Sequence, residues 1–528
     1  LAPIAVVVEY PLLRELWRTD WLLGILPLFV RTFANVLPKG LLFSLRSRRA
    51  GFDKRAAYHA LFSRALGFLP PWTLPGHDTD EAFARERLDG PNPIVIERVR
   101  DANELRARLP ISDDELGRAV GASVTVAGEI AAGNMFVCDY VLLQRALLPR
   151  DQPWTAPLGR DSRFRLKYLP APVALFCRPA GQPNLLPVAI RVDQPNARGP
   201  NPRYLRGEPG WQLAKLYVRV ADSNHHELSS HNYRHHFVGG VFAAATRRQL
   251  STNHPVHVLL EAHIDGTLMI FRLLTTPGST DDQAFAGDLE EIQQIVIEAH
   301  ACRSWRELTL ENDVRRRGME RHADYPWWED ARLWRAPIDT FVREVLSQFY
   351  PDDRAVQDDP ELQAWFEELC DPDRGNLREL ADDGRLATVD ALARLLGELL
   401  FLVGPSHASM HYPLSDFWSW VPGCPRAAYR PPPERPVENE DDRILETLAP
   451  IGDAAAQFAV SQLAGFRDQC FGDYARYRLG RLPQAAPALR RLHAGRDAIA
   501  ATIDERNRRR FRPYRYLHPS QVPNSTNI

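Results

Sequence analysis

Apolar positions recurring every three to four residues set the character of this chain. The longest such pattern runs from Leu213 to Leu250 and predicts one long helix. A second covers 391–411, where Leu395, Leu396, Leu399, Leu400, Leu402 and Val403 leave no polar stripe, which predicts a helix buried on all sides. Residues 338–350 and 361–368 alternate apolar and charged positions at helical spacing. The Ile-, Leu- and Ala-rich stretch 282–302 predicts a helix packed beside the first. Residues 1–75 read as helices broken at Pro27, Pro38, Pro70 and Pro71, because proline removes a backbone donor and clashes with the preceding turn.

Strand signals are few. Residues 80–99 pass from a helix through a Gly-Pro turn into a short strand. Short β segments are expected within 135–143, 173–176 and 186–192, proline-rich loops across 150–210, and a loop at Tyr325–Trp328. No internal repeat is visible. The expected fold is mainly α, built around a long central helix with few short β-strands. A helical N-terminal extension, 1–75, packs on a larger domain, 76–528.

Composition narrows the function classes. Apolar residues make up 45% and charged residues 25% of 528 positions, an ordinary globular balance. A formal net charge of −2 gives no electrostatic case for nucleic acid. The cysteines at 138, 177, 302, 370, 424 and 470 form no CxxC pair, which argues against a structural zinc site or a disulfide framework and suits reduced thiols in a cytosol. The run Trp21–Val30 is ten residues broken by Pro27, too short for the roughly 20 residues a membrane span needs. It reads as a core or lid helix, with peripheral membrane contact through 21–30 as the alternative.

The candidate chemistry lies in histidine. Eight of the sixteen histidines fall between His225 and His263. Imidazole is the commonest metal ligand among side chains. His226, His231 and His236 are spaced five apart. On an α-helix five residues turn through about 500°, which splays such neighbours roughly 140° apart. An i→i+5 widening would align them, so a π segment is expected at His226–His231. His231 with His235 is the pairing that a regular helix would allow, and His225, His235 and His257 read as non-ligands. Farther on, His407 and His411 are four apart and share a helix face, a second candidate pair. The chain ends at Ile528, whose α-carboxylate is ionised at neutral pH. Drawn inward, that anion needs a cation, and a metal supplies one.

Taken together, these residues resemble the catalytic domain of a lipoxygenase. The stretch WQLAKLYVRVADSNHHELSSH carries a His-x4-His helix at His226 and His231, and TRRQLSTNHPVHVLLEAH resembles the family's continuation through His254 and His263. His407 and His411 stand where the family has its third region, and PNSTNI resembles the family's terminal PNSISI. ARERLDGPNPIVI and GNMFVCDYVLL resemble its bacterial branch, a short form without the family's N-terminal β-barrel lipid-binding domain. The resemblance implies a non-heme iron site, manganese being the less common choice, held by His226, His231, His407, His411 and the Ile528 carboxylate. It implies hydrogen abstraction from a polyunsaturated fatty acid or related acyl chain, followed by O2 insertion to give a hydroperoxide.

The chain departs from the family pattern around the implied substrate pocket. Leu414 replaces a glutamine, Gly239, Gly240 and Val241 replace Met-Glu-Pro, and Asp265 replaces an arginine. Met269 stands where the family has a small residue, and Phe271 where it has an asparagine. Such changes point to an altered substrate, so a tailoring oxidase of a specialised metabolite or a hydroperoxide isomerase is the alternative activity. A non-catalytic lipid- or partner-binding protein that keeps a metal for stability is the alternative from another class. A zinc hydrolase fits less well, because catalytic zinc takes three protein ligands rather than five. Appending residues after Ile528 should remove the carboxylate from the site, with loss of bound metal by elemental analysis. A tagged protein that keeps its full metal content would contradict this ligand.

Overall fold

The computed structural model describes residues 19–145, 154–155, 166–193, 201–275 and 289–528, apart from 48, 50, 72, 382–383, 434–436 and 438. The expected helical stretch 282–302 is found as Leu289–Ala301, and 282–288 lie outside the described residues. As expected, the fold is mainly α with few strands.

Helix α1, Thr19–Arg46, does not break at Pro27 or Pro38. Both prolines are exposed, so the backbone acceptors they leave free need no protein partner. Its other flank packs against Ile451–Leu463. Helix α2, Asp80–Asp89, is capped by the Thr79 hydroxyl and starts with Asp80 and Glu81, charges that suit the positive end of a helix.

Apart from the two-residue pair Trp154–Thr155 and Leu166–Lys167, the strands among the described residues are β1 (Glu97–Arg98), β2 (Met135–Asp139), β3 (Val173–Cys177), β4 (Leu186–Arg191) and β5 (Arg203–Leu205). They form an antiparallel sheet in chain order, with Val137 opposite Leu175 and Ile190 opposite Tyr204. Strand alternation sorts the side chains. Phe136, Cys138, Ala174, Phe176 and Ile190 join the main core, while Met135, Val137, Val173, Leu175 and Cys177 join a smaller one beneath the helices Ala102–Arg108 and Asp113–Val120. The segment expected as strand to residue 143 turns after Asp139, whose carboxylate accepts from Val141 N at 2.9 Å and starts a short helix. Tyr325–Trp328, expected as a loop, begins the helix Pro326–Ala331. Proline in the first turn loses no helical hydrogen bond and starts the helix instead of stopping it.

The main core is built on α3, a continuous helix over residues 211–249. It is α over Trp211–His225, π over His226–Phe237 and α again over Val238–Gln249. The π segment therefore runs six residues past the expected His231. Helix α3 carries buried charges, all paired. Arg219 makes two hydrogen bonds to Glu86, Lys215 donates to Asp80, and Asp222 receives Arg87, Tyr140 and Asn92. These contacts from α2, Asn92 and Tyr140 satisfy groups that would be costly to bury alone.

Helix α4, Arg335–Leu346, packs against α5, residues 389–411. α5 is α over Val389–Phe401, π over Leu402–Ser406 and α over His407–His411. Pro405 lies inside the π turn, which absorbs its missing donor. The helix Ala486–Asn507 closes on α4, and the chain then runs inward. Gly239 and Gly404 give the tail its passage. A Cβ on Gly404 would sit 2.7 Å from the Phe471 ring and 3.2 Å from the Pro523 carbonyl, and one on Gly239 would touch Thr526 at 3.6 Å. Gly404→Ala should cost about 1–3 kcal/mol by overpacking, read as a lower apparent Tm; an unchanged Tm would show that the tail is free to move aside.

Candidate metal centre

The two π segments face each other and bring four imidazoles to one point. Nε2 of His231 lies 3.1 Å from Nε2 of His236, 3.4 Å from Nε2 of His407 and 3.1 Å from Nδ1 of His411. His236 and His407 are 3.2 Å apart through their Nε2 atoms. All four residues are buried.

Burial, reinforced by the neighbouring imidazoles, lowers the pKa of each, most strongly at His236, His407 and His411, so the rings are neutral. The tautomers of two are fixed. His231 Nδ1–H donates to the Glu227 carboxylate at 3.1 Å, and His411 Nε2–H donates to the Ala464 carbonyl at 2.8 Å. The facing atoms, His231 Nε2 and His411 Nδ1, are therefore both lone pairs, 3.1 Å apart. No hydrogen bond can form between them, and a cation resolves the conflict. An ion about 2.1 Å from each nitrogen would place neighbouring donors about 3.0 Å apart at right angles and about 3.4 Å apart in a tetrahedron. The observed spacings fall in that range, so the donor set fits a metal.

The fourth histidine here is His236, not His226. His226, which the resemblance names as a ligand, lies outside this group. His226 spends its Nε2–H on the Met410 carbonyl at 3.0 Å, and its Nδ1 lies 3.6 Å from Glu227 Oε2. Its ring stacks on that of His231, with centroids 5.4 Å apart. The π segment aligns all three of His226, His231 and His236, and the position of α5 selects the last two. His235, the regular-helix alternative, turns away to the His231 carbonyl and the Ser406 hydroxyl. His257 bonds the Leu250 carbonyl.

Glu227 is a site residue that the sequence reading missed. Burial works against its carboxylate, but His231 and His226 beside it hold its pKa well below the usual carboxylate range. A carboxylate on the outer nitrogen of a ligating histidine fixes its tautomer and raises its basicity. The signal was present as an acid four residues before His231 on the same helix.

Ile528 is half-buried and packs against the main core, and Asn524, Ser525, Thr526 and Asn527 before it are buried. Hydrogen bonds hold this tail, among them His263 Nδ1–H to the Asn524 carbonyl at 2.8 Å, Asn524 to the Asp473 carbonyl, Ser525 to the Asp265 carbonyl, Thr526 to Thr267, and Trp21 Nε1–H to the Asn527 carbonyl at 3.0 Å.

An apolar cavity of about 350 Å³ lies beside the π segment of α3, lined by Tyr233, Phe237, Val241, Phe271, Val296 and Leu377 among others. Of the pocket positions expected from sequence, Gly239, Gly240, Met269 and Leu414 do not line it. Val241 and Phe271 do. Gly240 lies directly under Phe271, where a Cβ would stand 3.0 Å from the ring, and Leu414 is buried elsewhere in the core. Asp265 accepts from the Tyr477 hydroxyl at 2.7 Å.

The lipoxygenase family model matches residues 75–451. The chain belongs to the lipoxygenase family. Among curated members, the linoleate 9/13-lipoxygenase of Pseudomonas aeruginosa is 29% identical over 476 residues, covering 85% of this chain and 66% of that protein. The human hydroperoxide isomerase ALOXE3 is 27% identical over 508 residues, covering 94% of this chain and 69% of that one. The chain thus spans about two thirds of the length of its curated relatives. A lipoxygenase crystallised anaerobically with arachidonate superposes with a TM-score of 0.83 at 24% identity, covering 95% of this chain and 74% of that one. Coral 8R-lipoxygenase gives 0.81 at 24%, covering 96% and 75%.

His236→Ala should abolish metal retention, and His226→Ala should leave most of it. Equal retention in the two variants would return His226 to the ligand set. Glu227→Ala should weaken metal binding about 10–100-fold, measured by competition with a chelator.

Proposed function

We propose that this chain is a non-heme iron dioxygenase that converts a polyunsaturated fatty acid and O2 to a hydroperoxide. The convergence of His231, His236, His407 and His411 in a buried centre carries this reading, with family membership and the fatty-acid activities named for its relatives in support. Those four imidazoles would hold the iron, with the Ile528 carboxylate as the anionic fifth ligand and manganese as the less common occupant. When bound, iron supplies the one-electron chemistry that opens a bis-allylic C–H bond to dioxygen.

The protein's part is positioning. Glu227 and the Ala464 carbonyl fix the rings of His231 and His411, so their lone pairs need not reorganise during reaction. Neutral imidazoles with one carboxylate keep the net charge of the centre low, which an apolar pocket tolerates. The cavity walls, from Tyr233 and Phe237 across to Val296 and Leu377, bind the acyl chain by burial and exclude water. Its volume falls in the range of small-molecule pockets, about 300–1,000 Å³. Arg378 at its edge donates to the carbonyls of His300, Ala301 and Arg303, and so holds the wall.

Hydroperoxide isomerisation is the second reading. Phe271 favours it: its ring stands 4.7 Å from that of Phe237 and covers Gly240, filling space at the cavity wall that a smaller side chain would leave to oxygen. Iron-loaded protein given linoleate should consume O2 and produce conjugated-diene absorbance. Conversion of a supplied hydroperoxide without O2 uptake, and no diene from any fatty acid, would overturn dioxygenation in favour of isomerisation.

A further inference from the structure

Twelve large apolar side chains are exposed among the described residues, and nine of them lie on α1, including Leu22, Leu23, Phe29, Val30, Leu37 and Leu41. Elsewhere only Leu69, Val141 and Phe511 are exposed to this degree. A patch of this kind on one element is not the scattered surface hydrophobicity of an ordinary globular protein. Its charge is as one-sided as its polarity. Between Trp21 and Phe52 the charged residues are Arg31, Lys39, Arg46, Arg48 and Arg49, all basic.

The opposite flank of α1 is committed to protein. Trp21, Thr32, Asn35 and Val36 are buried, spaced to fall on one stripe of the helix. Asn35 donates to the Leu61 carbonyl at 2.5 Å, Trp21 to the Asn527 carbonyl, and Trp21 meets Phe466 edge-on at 5.7 Å. The helix is long and apolar enough to cross a bilayer, but one flank lies on the folded body with buried polar side chains, so lipid cannot surround it. An exposed apolar flank on a helix held along a protein, in a stretch whose charged residues are all basic, is the arrangement that lies in a membrane interface.

We propose that α1 docks the protein on a bilayer surface containing anionic phospholipid, its exposed leucines and Phe29 entering the acyl boundary and its basic residues meeting the headgroups. The contact extends past residue 30 to the end of the helix, because Leu37, Leu41, Leu42 and Leu45 are as exposed as Leu22 and Leu26. A second copy is disfavoured as the occupant, because two-fold pairing of this flank would bring two sets of like charges together. The Trp21–Asn527 hydrogen bond makes the docking helix continuous with the tail that ends in Ile528. The proposal does not depend on which metal or reaction the centre supports.

The test is co-sedimentation of the full chain with phosphatidylcholine vesicles, with and without phosphatidylglycerol. The wild type should pellet with the anionic vesicles and release as salt is raised. The double variant Leu23→Glu, Leu41→Glu should lose binding at least about tenfold with its Tm and metal content unchanged, since both residues point away from the fold. Arg46→Gln with Arg49→Gln should lose mainly the preference for anionic lipid. Wild-type protein that stays in the supernatant with both vesicle types overturns the proposal, as does a glutamate variant that pellets like the wild type. A wild-type dimer that the glutamate variant converts to monomer, without vesicle binding, overturns it in favour of a second copy.

Discussion

Everything at this centre depends on two stretches of helix being wound one residue wider per turn than usual. A π turn has poorer hydrogen-bond geometry than an α turn and survives only where the surroundings over-determine it. Here α3 is buried along nearly its whole length and α5 is buried through its second half, so neither can relax without losing core contacts on several sides. The widening in α3 lets His231 and His236, five apart, point the same way. The widening in α5 follows from Pro405 and sets the direction of the turn that presents His407 and His411.

The position of α3 is fixed before the histidines are reached. Lys215, Arg219 and Asp222 on successive turns find partners on α2 and at Tyr140, just past β2. Removing one member of such a network leaves an unpaired charge in the core, which is costlier than the pair was worth. The network ties α3 to one register, and register decides which histidines meet α5.

Helix α1 and the C-terminal tail are joined across almost the full length of the sequence. The tail passes between α3 and α5 through gaps that Gly239 and Gly404 leave, and Trp21 reaches its penultimate residue. Whatever holds α1 at a surface therefore bears on the same segment that ends in Ile528.

Helix periodicity, the buried character of 391–411 and the possibility of a π segment were readable from residue spacing, because a helix buries what its own repeat places on one side. The resemblance identified the family on short motifs spread along the chain. Three things were decided only in three dimensions. Among His226, His231 and His236, spacing makes all three equivalent; the approach of α5 chose the latter two, and the Met410 carbonyl took His226 out. Pro27 and Pro38 signal a break to any local reading, yet α1 continues, because exposure supplies what proline removes. The cavity drew on Val241 and Phe271 from helices near the centre and on Val296 and Leu377 from far along the chain. A pocket is a property of surfaces brought together, and no run of neighbouring residues encodes where they meet.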